Sequence, residues 1–471
     1  MATAQAGTLD VSQFMQSLKF SRYHLQILIL CSLVTFFDGQ DFSALAYALP
    51  YIRDDMALTD SMTGYVSAAA FLGQMIGSLV GSYLGDIFGR RPVIIACTLG
   101  SAVFTFITGF ADTAEHLIAL RFIGGLAIGG LLAPVWSLSI EAMPKSMRAT
   151  SVTIIMMGFS LGGASAAPIA NWVAPVLGWG GIFWVSGAFS GFFALVLLLT
   201  LPESARWMVA KGKPASRITP LLSRFAPGFD ARQYSDFILS DERQTTKSAN
   251  PILKFRELFV GALLVVTPLI WAAYFFSSFA IYLKSAYGVI FLENLGLERA
   301  NAAWLGMVSA MLGALGGVAL LALTEKRGPA WITLAPLIGI PFVLLVGFGY
   351  VLGGPAFIPV LLIGATLVGA GHAAVISITS IYYPSAVRAT GGGWASFMAK
   401  FAAVAAPIFG SQFLAGRAGA LEGYVFTAGC LAGIVVCVLA LSWFARGLRE
   451  ADDQTPAPES TPAPAPSKAA A

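Results

Sequence analysis

The chain has 471 residues, of which 57% are hydrophobic and only 11% charged, with a net charge of +4 and a mean hydropathy of +0.77. A soluble domain carries about a quarter charged residues, so this composition excludes an ordinary soluble protein. The small positive excess sits in loops on one side and is no nucleic-acid signal, and Cys31, Cys97, Cys430 and Cys437 lie in apolar runs without disulfide-framework or zinc spacing.

Residues 1–23 are polar and carry no cleavable leader pattern, because the first apolar run is too long for a leader's hydrophobic segment. Apolar runs of roughly 20 residues then recur, each long enough to cross about 30 Å of hydrocarbon as a helix. They predict twelve helices, at 24–50, 62–84, 92–111, 117–139, 149–176, 182–201, 257–290, 299–323, 330–352, 356–381, 389–415 and 422–445. Their Gly and Pro content is no objection, since both are commoner in membrane helices than in soluble ones. Segment 202–256 is charged and broken by Pro214, Pro220, Pro227 and Pro251. It reads as a linker between two six-helix halves, 24–201 and 257–445. Residues 446–471, with the run TPAPESTPAPAPSKAAA, read as a disordered tail.

Placing the N-terminus in the cytoplasm leaves only Arg53, Arg299 and Arg417 outside, and Arg121, Lys284 and Lys400 within spans. The other basic residues, densest in the central linker, then face the cytoplasm. This positive-inside asymmetry predicts a multi-pass protein of the plasma membrane (the bacterial inner membrane) with both termini cytoplasmic.

The two halves echo each other. Pro144-Lys-Ser-Met-Arg148-Ala-Thr150 opens helix five, and Pro384-Ser-Ala-Val-Arg388-Ala-Thr390 opens helix eleven 240 residues later. Asp86-Ile-Phe-Gly89-Arg90-Arg91 is answered more weakly by Glu325-Lys-Arg327-Gly328. Two matches at nearly one offset, both in turns on the same side, indicate duplication. Six-helix repeats that rock about a midplane site are a transporter architecture.

These residues carry a resemblance to the major facilitator superfamily. Gly85-Asp86-Ile-Phe-Gly89-Arg90-Arg91 is similar to the motif between its second and third helices, with Ser82 where that motif usually has Gly. Arg121-Phe-Ile-Gly-Gly125-Leu-Ala-Ile-Gly129 resembles its fourth-helix motif, and Pro202-Glu203-Ser204-Ala-Arg206-Trp207 the ending of its sixth helix. Asp38-Gly39-Gln40-Asp41 resembles the D-G-x-D signature of the aromatic acid:proton symporters. Tyr383-Pro384-Ser-Ala-Val-Arg388-Ala-Thr390-Gly391-Gly-Gly-Trp394 resembles the start of helix eleven in the same family. The chain departs from that pattern at Gln40, where the family has an aromatic residue, and at Lys400, where it has arginine. The resemblance implies an all-α membrane fold of twelve helices in two repeats that imports a small aromatic carboxylate together with protons.

Chemistry inside the membrane narrows the candidates. Of the 24 acidic residues only Asp38 and Asp41 lie within an apolar span. A charge at the bilayer centre costs roughly 2.5–3.5 kcal/mol on insertion scales. Their spacing of three puts both on one helix face. Burial and a like-charged neighbour both favour the protonated form of a carboxylic acid, as a proton carrier requires. Proton coupling is therefore assigned to Asp38 and Asp41, the alternative being a fixed structural pair.

Lys400, twelve residues beyond Arg388 and about 18 Å along the helix, is the first candidate for the substrate carboxylate. Arg121 and Lys284 follow, although Arg121 could instead be a fixed partner of Asp38 or Asp41, and Lys284 could snorkel to the outer interface. His372 is the one histidine deep in a span. Tyr282, Trp136, Phe36, Phe42 and Trp394 offer ring-stacking walls. Asp86, Gly89, Arg90 and Arg91, with Arg388 at the corresponding turn, are gating candidates expected to hold the cytoplasmic ends of the halves together. Gly73, Gly77, Gly81 and Gly85 give helix two a smooth face for close contact.

No Ser/His/Asp set, metal cluster or phosphate loop is legible, so neither an enzyme nor a cofactor is expected, and an ion gradient replaces ATP as the energy source. The expected partners are a small aromatic acid, protons and the lipid bilayer, without nucleic acid. A proton-coupled exporter, a carrier of another organic anion and a membrane sensor are the alternatives. An exporter signature would need Pro after Gly158-Phe-Ser-Leu-Gly162, and Gly163 stands there.

Overall fold

The computed structural model describes residues 7–226, 229, 233–234, 236–240, 255–383 and 387–453. Among them, eleven helical stretches are long and apolar enough to cross a bilayer. One of these contains the helix Arg148–Thr200, whose 53 residues would extend about 80 Å at 1.5 Å per residue, far beyond one crossing. Gly178 breaks it with non-helical torsions (φ 68°, ψ −177°), so it supplies two antiparallel crossings and the total is twelve. Glycine reaches that backbone region without the steric cost any other residue would meet.

The crossings are α1 Arg22–Asp55, α2 Asp60–Phe88, α3 Arg90–Thr108, α4 Ala114–Ala142, and α5 and α6 as 148–177 and 179–200. The second set is α7 Leu263–Asn294, α8 Arg299–Arg327, α9 Leu334–Gly347, α10 Phe357–Tyr382, α11 Arg388–Gly410 and α12 Gly416–Asp453. Side chains begin several of them. The Thr59 hydroxyl accepts from the Met62 amide at 3.3 Å to cap α2, and Thr113 does the same for His116 of α4 at 3.3 Å. At the start of α1 the Ser21 amide donates to His24 Nδ1 at 3.1 Å, which gives buried His24 a capping role.

Duplication is visible in the backbone. Gly89 after α2 and Gly328 after α8 share an uncommon conformation (φ 112° and 102°, ψ 159° and 168°). Met147 before α5 and Val387 before α11 are matched as well (φ −109° and −110°, both ψ −2°). Pro384 to Ala386 of the second motif lie outside the described residues, as does the side chain of Glu325.

Small residues set the closest helix contacts, as expected where neighbouring lipid is as apolar as the helices themselves. A Cβ on Gly73, Gly77 or Gly81 of α2 would collide with the backbone of α4 at Phe122, Leu126 or Gly130. Gly158 and Gly162 of α5 meet the backbone of α1 at Ser32 and Phe36 in the same way. Gly77→Val is therefore expected to push α2 off α4 and to cost roughly 1–3 kcal/mol or more through overpacking. A fall of several degrees in the melting temperature of detergent-purified protein would register this, and an unchanged melting curve would contradict it. The outer faces expose large hydrophobic side chains, among them Leu199, Val176, Phe192 and Trp443. Such a surface belongs in hydrocarbon and not in water.

Three readings of the sequence change. The linker and N-terminus are structured where described, with helices Val11–Ser17, Ala205–Ala210 and Ala215–Phe225. Thr8–Asp10 pairs in parallel with Asp236–Ile238, a small sheet in a fold expected to be all helix. Buried Ile218, Leu221, Leu222 and Phe225 repeat at helical spacing and join Val11, Met15 and Trp207 in one apolar cluster on the first half. Predicted boundaries also shift: α1 runs to Asp55, α7 runs from Leu263 to Asn294, and α12 continues to Asp453. Pro227, Pro251 and the Pro/Ala run after Asp453 lie outside the described residues.

Candidate functional site

The halves enclose a cavity of about 330 Å³. The first half lines it with Phe42, Ser43 and Tyr47 of α1 and Phe159 and Ser160 of α5. The second half adds Lys284 and Ser285 of α7, His372 of α10, and Tyr424 and Thr427 of α12. The volume lies at the small end of ligand pockets. No carboxylate is among its described lining residues, and Lys284 is the one lysine or arginine among them.

Lys284 does not snorkel to an interface. Its ammonium group donates to the Ala365 carbonyl at 2.8 Å, which aims it across the cavity from α7 to α10. His372 Nδ1 is 2.9 Å from the Ser277 hydroxyl, fixing the imidazole orientation. Tyr282 is not itself a lining residue. Its ring lies edge-on to Phe71 (5.0 Å) and Phe42 (6.1 Å) of the first half and 6.5 Å from the His372 ring. It ties the aromatic wall of one half to the histidine of the other.

A second polar cluster is buried within the first half. Asp41 Oδ1 accepts from the Thr105 hydroxyl at 2.6 Å and from Arg121 Nη1 at 3.5 Å. Arg121 Nη2 also donates to Thr108 at 2.9 Å, and the guanidinium lies over the Phe183 ring at 4.9 Å. Arg121 is thus the structural partner of Asp41 and does not line the cavity. Both Asp38 oxygens and Asp41 Oδ2 are buried with no hydrogen-bond partner among the described residues. Asp38 is within Coulombic reach of Asp41 and of Lys400, which lies on α11 of the other half. Lys400 is not among the residues lining the cavity. Gln40, where the resembled family carries an aromatic side chain, is buried and hydrogen-bonds Ser186 of α6.

Thr105, Thr108 and Phe183 were not singled out from the sequence. A signal existed in helix three: Thr98, Ser101, Thr105 and Thr108 recur at helical spacing, and all four are buried. Of the proposed ring walls, only Phe42 lines the cavity. Phe36 packs on Phe37, Trp394 packs among Phe255, Trp271 and Phe397, and Trp136 is partly exposed.

The Asp86 turn forms a third cluster, and its observed partners belong to the first half. Arg90 Nη2 lies 3.1 Å from Asp86 Oδ1 and 3.0 Å from Glu141 Oε1, while Arg91 Nη2 donates to the Leu198 carbonyl at 2.7 Å. Glu203 Oε1 accepts from the amides of Arg90 (3.0 Å), Arg91 (3.2 Å) and Ser204 (2.8 Å). Burial pushes the Glu203 carboxyl above its ordinary value, against the opposing pull of those donors and Arg90. A Cβ on Gly89 would meet the Glu203 carboxylate and force it to shift, and the φ of +112° strains any side chain at this position. Among the described residues, no ion pair or hydrogen bond seen at this turn makes the expected link to the second half. Arg388 is exposed and donates Nε to the Tyr383 carbonyl at 3.2 Å.

Direct links between the halves occur at the other end. Arg299 Nη2 pairs with Asp54 Oδ2 at 2.7 Å, its Nε pairs with Glu293 at 2.5 Å, and its guanidinium covers Tyr51 at 4.3 Å. Asn171 Nδ2 donates to the Ala300 carbonyl at 3.2 Å beside this clamp.

A family model described as the Major Facilitator Superfamily matches residues 31–407. The 4-hydroxybenzoate transporter PcaK of Pseudomonas aeruginosa is 30% identical over 413 residues, which cover 86% of this chain and 90% of that protein. The benzoate transport protein of Acinetobacter baylyi is 25% identical over 424 residues, 85% of each chain. In fold, the chain is similar to a bacterial homologue of the lysosomal transporter Spinster. That match has a TM-score of 0.67 at 17% identity and covers 92% of this chain and 99% of that one.

Proposed function

The chain belongs to the major facilitator superfamily, and on that footing we propose that it imports a small aromatic carboxylate by proton symport. The observation that carries this reading is the central cavity, walled by Phe42, Tyr47, Phe159 and Tyr424, with Lys284 as the one lysine or arginine among its described lining residues. One cation facing apolar and aromatic walls suits a ring bearing a single carboxylate. The relatives named for 4-hydroxybenzoate and benzoate support the same substrate class.

In this proposal both termini and the linker 202–256 face the cytoplasm, and the Arg299–Asp54 end faces outward. The halves 24–201 and 257–445 rock about the cavity. Opening outward requires Arg299 to leave Asp54. The substrate carboxylate then takes the Lys284 ammonium from the Ala365 carbonyl, and its ring packs on Phe42 and Phe159. Asp38 and Asp41 carry the proton. Protonation of Asp38 loosens the attraction between Asp38 of α1 and Lys400 of α11. The proton and the acid leave together on the cytoplasmic side. Lys400 acts across the halves on Asp38, from outside the cavity lining.

Uptake of radiolabelled benzoates, phenylacetates and aliphatic acids into proteoliposomes tests the substrate class. Benzoates are expected to lead, and equal uptake of aliphatic acids would overturn the reading.

The Asp86 turn is proposed to govern switching between states. Asp86 is largely exposed, and its pair with Arg90 is backed by the more buried Glu141. Asp86→Asn is therefore expected to slow turnover and leave substrate affinity within about twofold, since exposed ion pairs contribute only about 0–1 kcal/mol. A large affinity loss at unchanged turnover would contradict this role.

A further inference from the structure

A separate cavity of about 600 Å³ lies at the Asp86 end, between α3, the end of α6 and the helices Ala205–Ala210 and Ala215–Phe225. Its lining combines three basic residues, Arg91, Lys213 and Arg217, with the apolar Phe88, Ile95 and Leu198. Glu203 is the one acid in its lining, and its Oε1 is already occupied by three backbone amides. Arg91 spends Nη2 on the Leu198 carbonyl, while its Nε has no partner among the described residues. The Lys213 ammonium sits 5.4 Å from the centre of the Trp207 ring. Phe88 is 62% exposed, and Leu199, next to the lining, is 88% exposed. Large apolar side chains are thus exposed at this end of the helices.

We propose that this cavity binds the headgroup of an anionic glycerophospholipid. The phosphodiester would lie among Arg91, Lys213 and Arg217, and the acyl chains would run along Phe88 and Leu198. Clustered cations at the polar edge of membrane helices recognise anionic headgroups. The arrangement also discriminates: a zwitterionic lipid would bring an ammonium group toward three cations and a single carboxylate, whose Oε1 is already taken by three amides. Free phosphate would satisfy the cations but make no use of the apolar wall.

Native mass spectrometry of the detergent-purified full chain, titrated with phosphatidylglycerol or phosphatidylethanolamine, tests this. One phosphatidylglycerol is expected to be retained in preference to phosphatidylethanolamine. A cation near anionic lipid contributes about fivefold in affinity, so the double variant Lys213→Gln/Arg217→Gln is expected to bind roughly 30-fold more weakly. The charge-matched control Lys326→Gln/Arg327→Gln, in the last turn of α8, should retain binding. Lys213→Arg/Arg217→Lys should also retain it, which keeps the test decisive if the glutamine variant folds poorly. Equal retention of both lipids, equal loss in the control variant, or full displacement by millimolar inorganic phosphate would overturn the proposal. The readout is independent of transport, so it stands or falls separately from the assigned substrate.

Discussion

Asp38→Asn is expected to abolish concentrative uptake while leaving a folded protein, whereas Asp41→Asn should lose both uptake and stability. The difference follows from what each carboxylate touches. Both Asp38 oxygens are buried without a hydrogen-bond partner among the described residues, so an amide there breaks no observed bond and removes only the ionisable proton. Asp41 is the acceptor for Thr105 and the counter-charge of buried Arg121. Neutralising it strands a guanidinium, and breaking a buried pair by removing one partner typically costs about 3–5 kcal/mol. If Asp38 carries the proton, the Asp38→Asn protein should still exchange labelled for unlabelled substrate but fail to accumulate it against a gradient. Wild-type accumulation in Asp38→Asn would remove Asp38 from the coupling path. A melting temperature for Asp41→Asn equal to wild type would show that the Arg121 pair is not structural.

Lys284→Ala should weaken binding of an aromatic carboxylate by roughly 30-fold or more, the consequence of losing about 2–5 kcal/mol when one member of a buried charge pair is truncated. The ammonium group lines the central cavity, and the one acceptor recorded for it is the Ala365 carbonyl, a neutral partner that an incoming carboxylate outcompetes. The corresponding uncharged amide should lose far less affinity, because it leaves no charge unpaired. Equal losses for acid and amide would mean that Lys284 holds α7 against α10 and does not read the anion. Lys400→Ala supplies the contrast. It lies across the halves from Asp38 and outside the cavity lining, so its main expected defect is in coupling, with a smaller change in affinity.

Helix number was legible because hydrophobic run length reports directly on bilayer thickness. The duplication was legible because Arg148 and Arg388 start equivalent helices. Periodicity failed at residues 202–240 for a physical reason. Ile218, Leu221, Leu222 and Phe225 form a clear apolar stripe, but its cover comes in part from Val11 and Met15, about 200 residues earlier in the chain. Spacing also located the Asp86 turn without its acceptors. Glu203, 113 positions after Arg90, became visible only when α6 returned beside α3. The same limit explains Lys400 and Lys284. Distance along a helix gives depth in the membrane, which is how Lys400 was expected near the middle, but rotation about the helix axis decides which side chain reaches the cavity. Asp38 and Asp41 were found because a carboxylate in an apolar span is rare. Thr105 and Thr108 were overlooked because hydroxyls in such spans are common.

Proton movement with substrate is the most direct observable. Purified protein would be reconstituted into liposomes holding a pH-sensitive dye, at a pH where 4-hydroxybenzoate is almost fully ionised and crosses bare lipid slowly. Symport requires that adding the acid outside, with no gradient imposed, acidify the lumen faster than in protein-free liposomes, and that Asp38→Asn remove the excess. Labelled acid entering at the wild-type rate with no excess acidification would contradict proton symport.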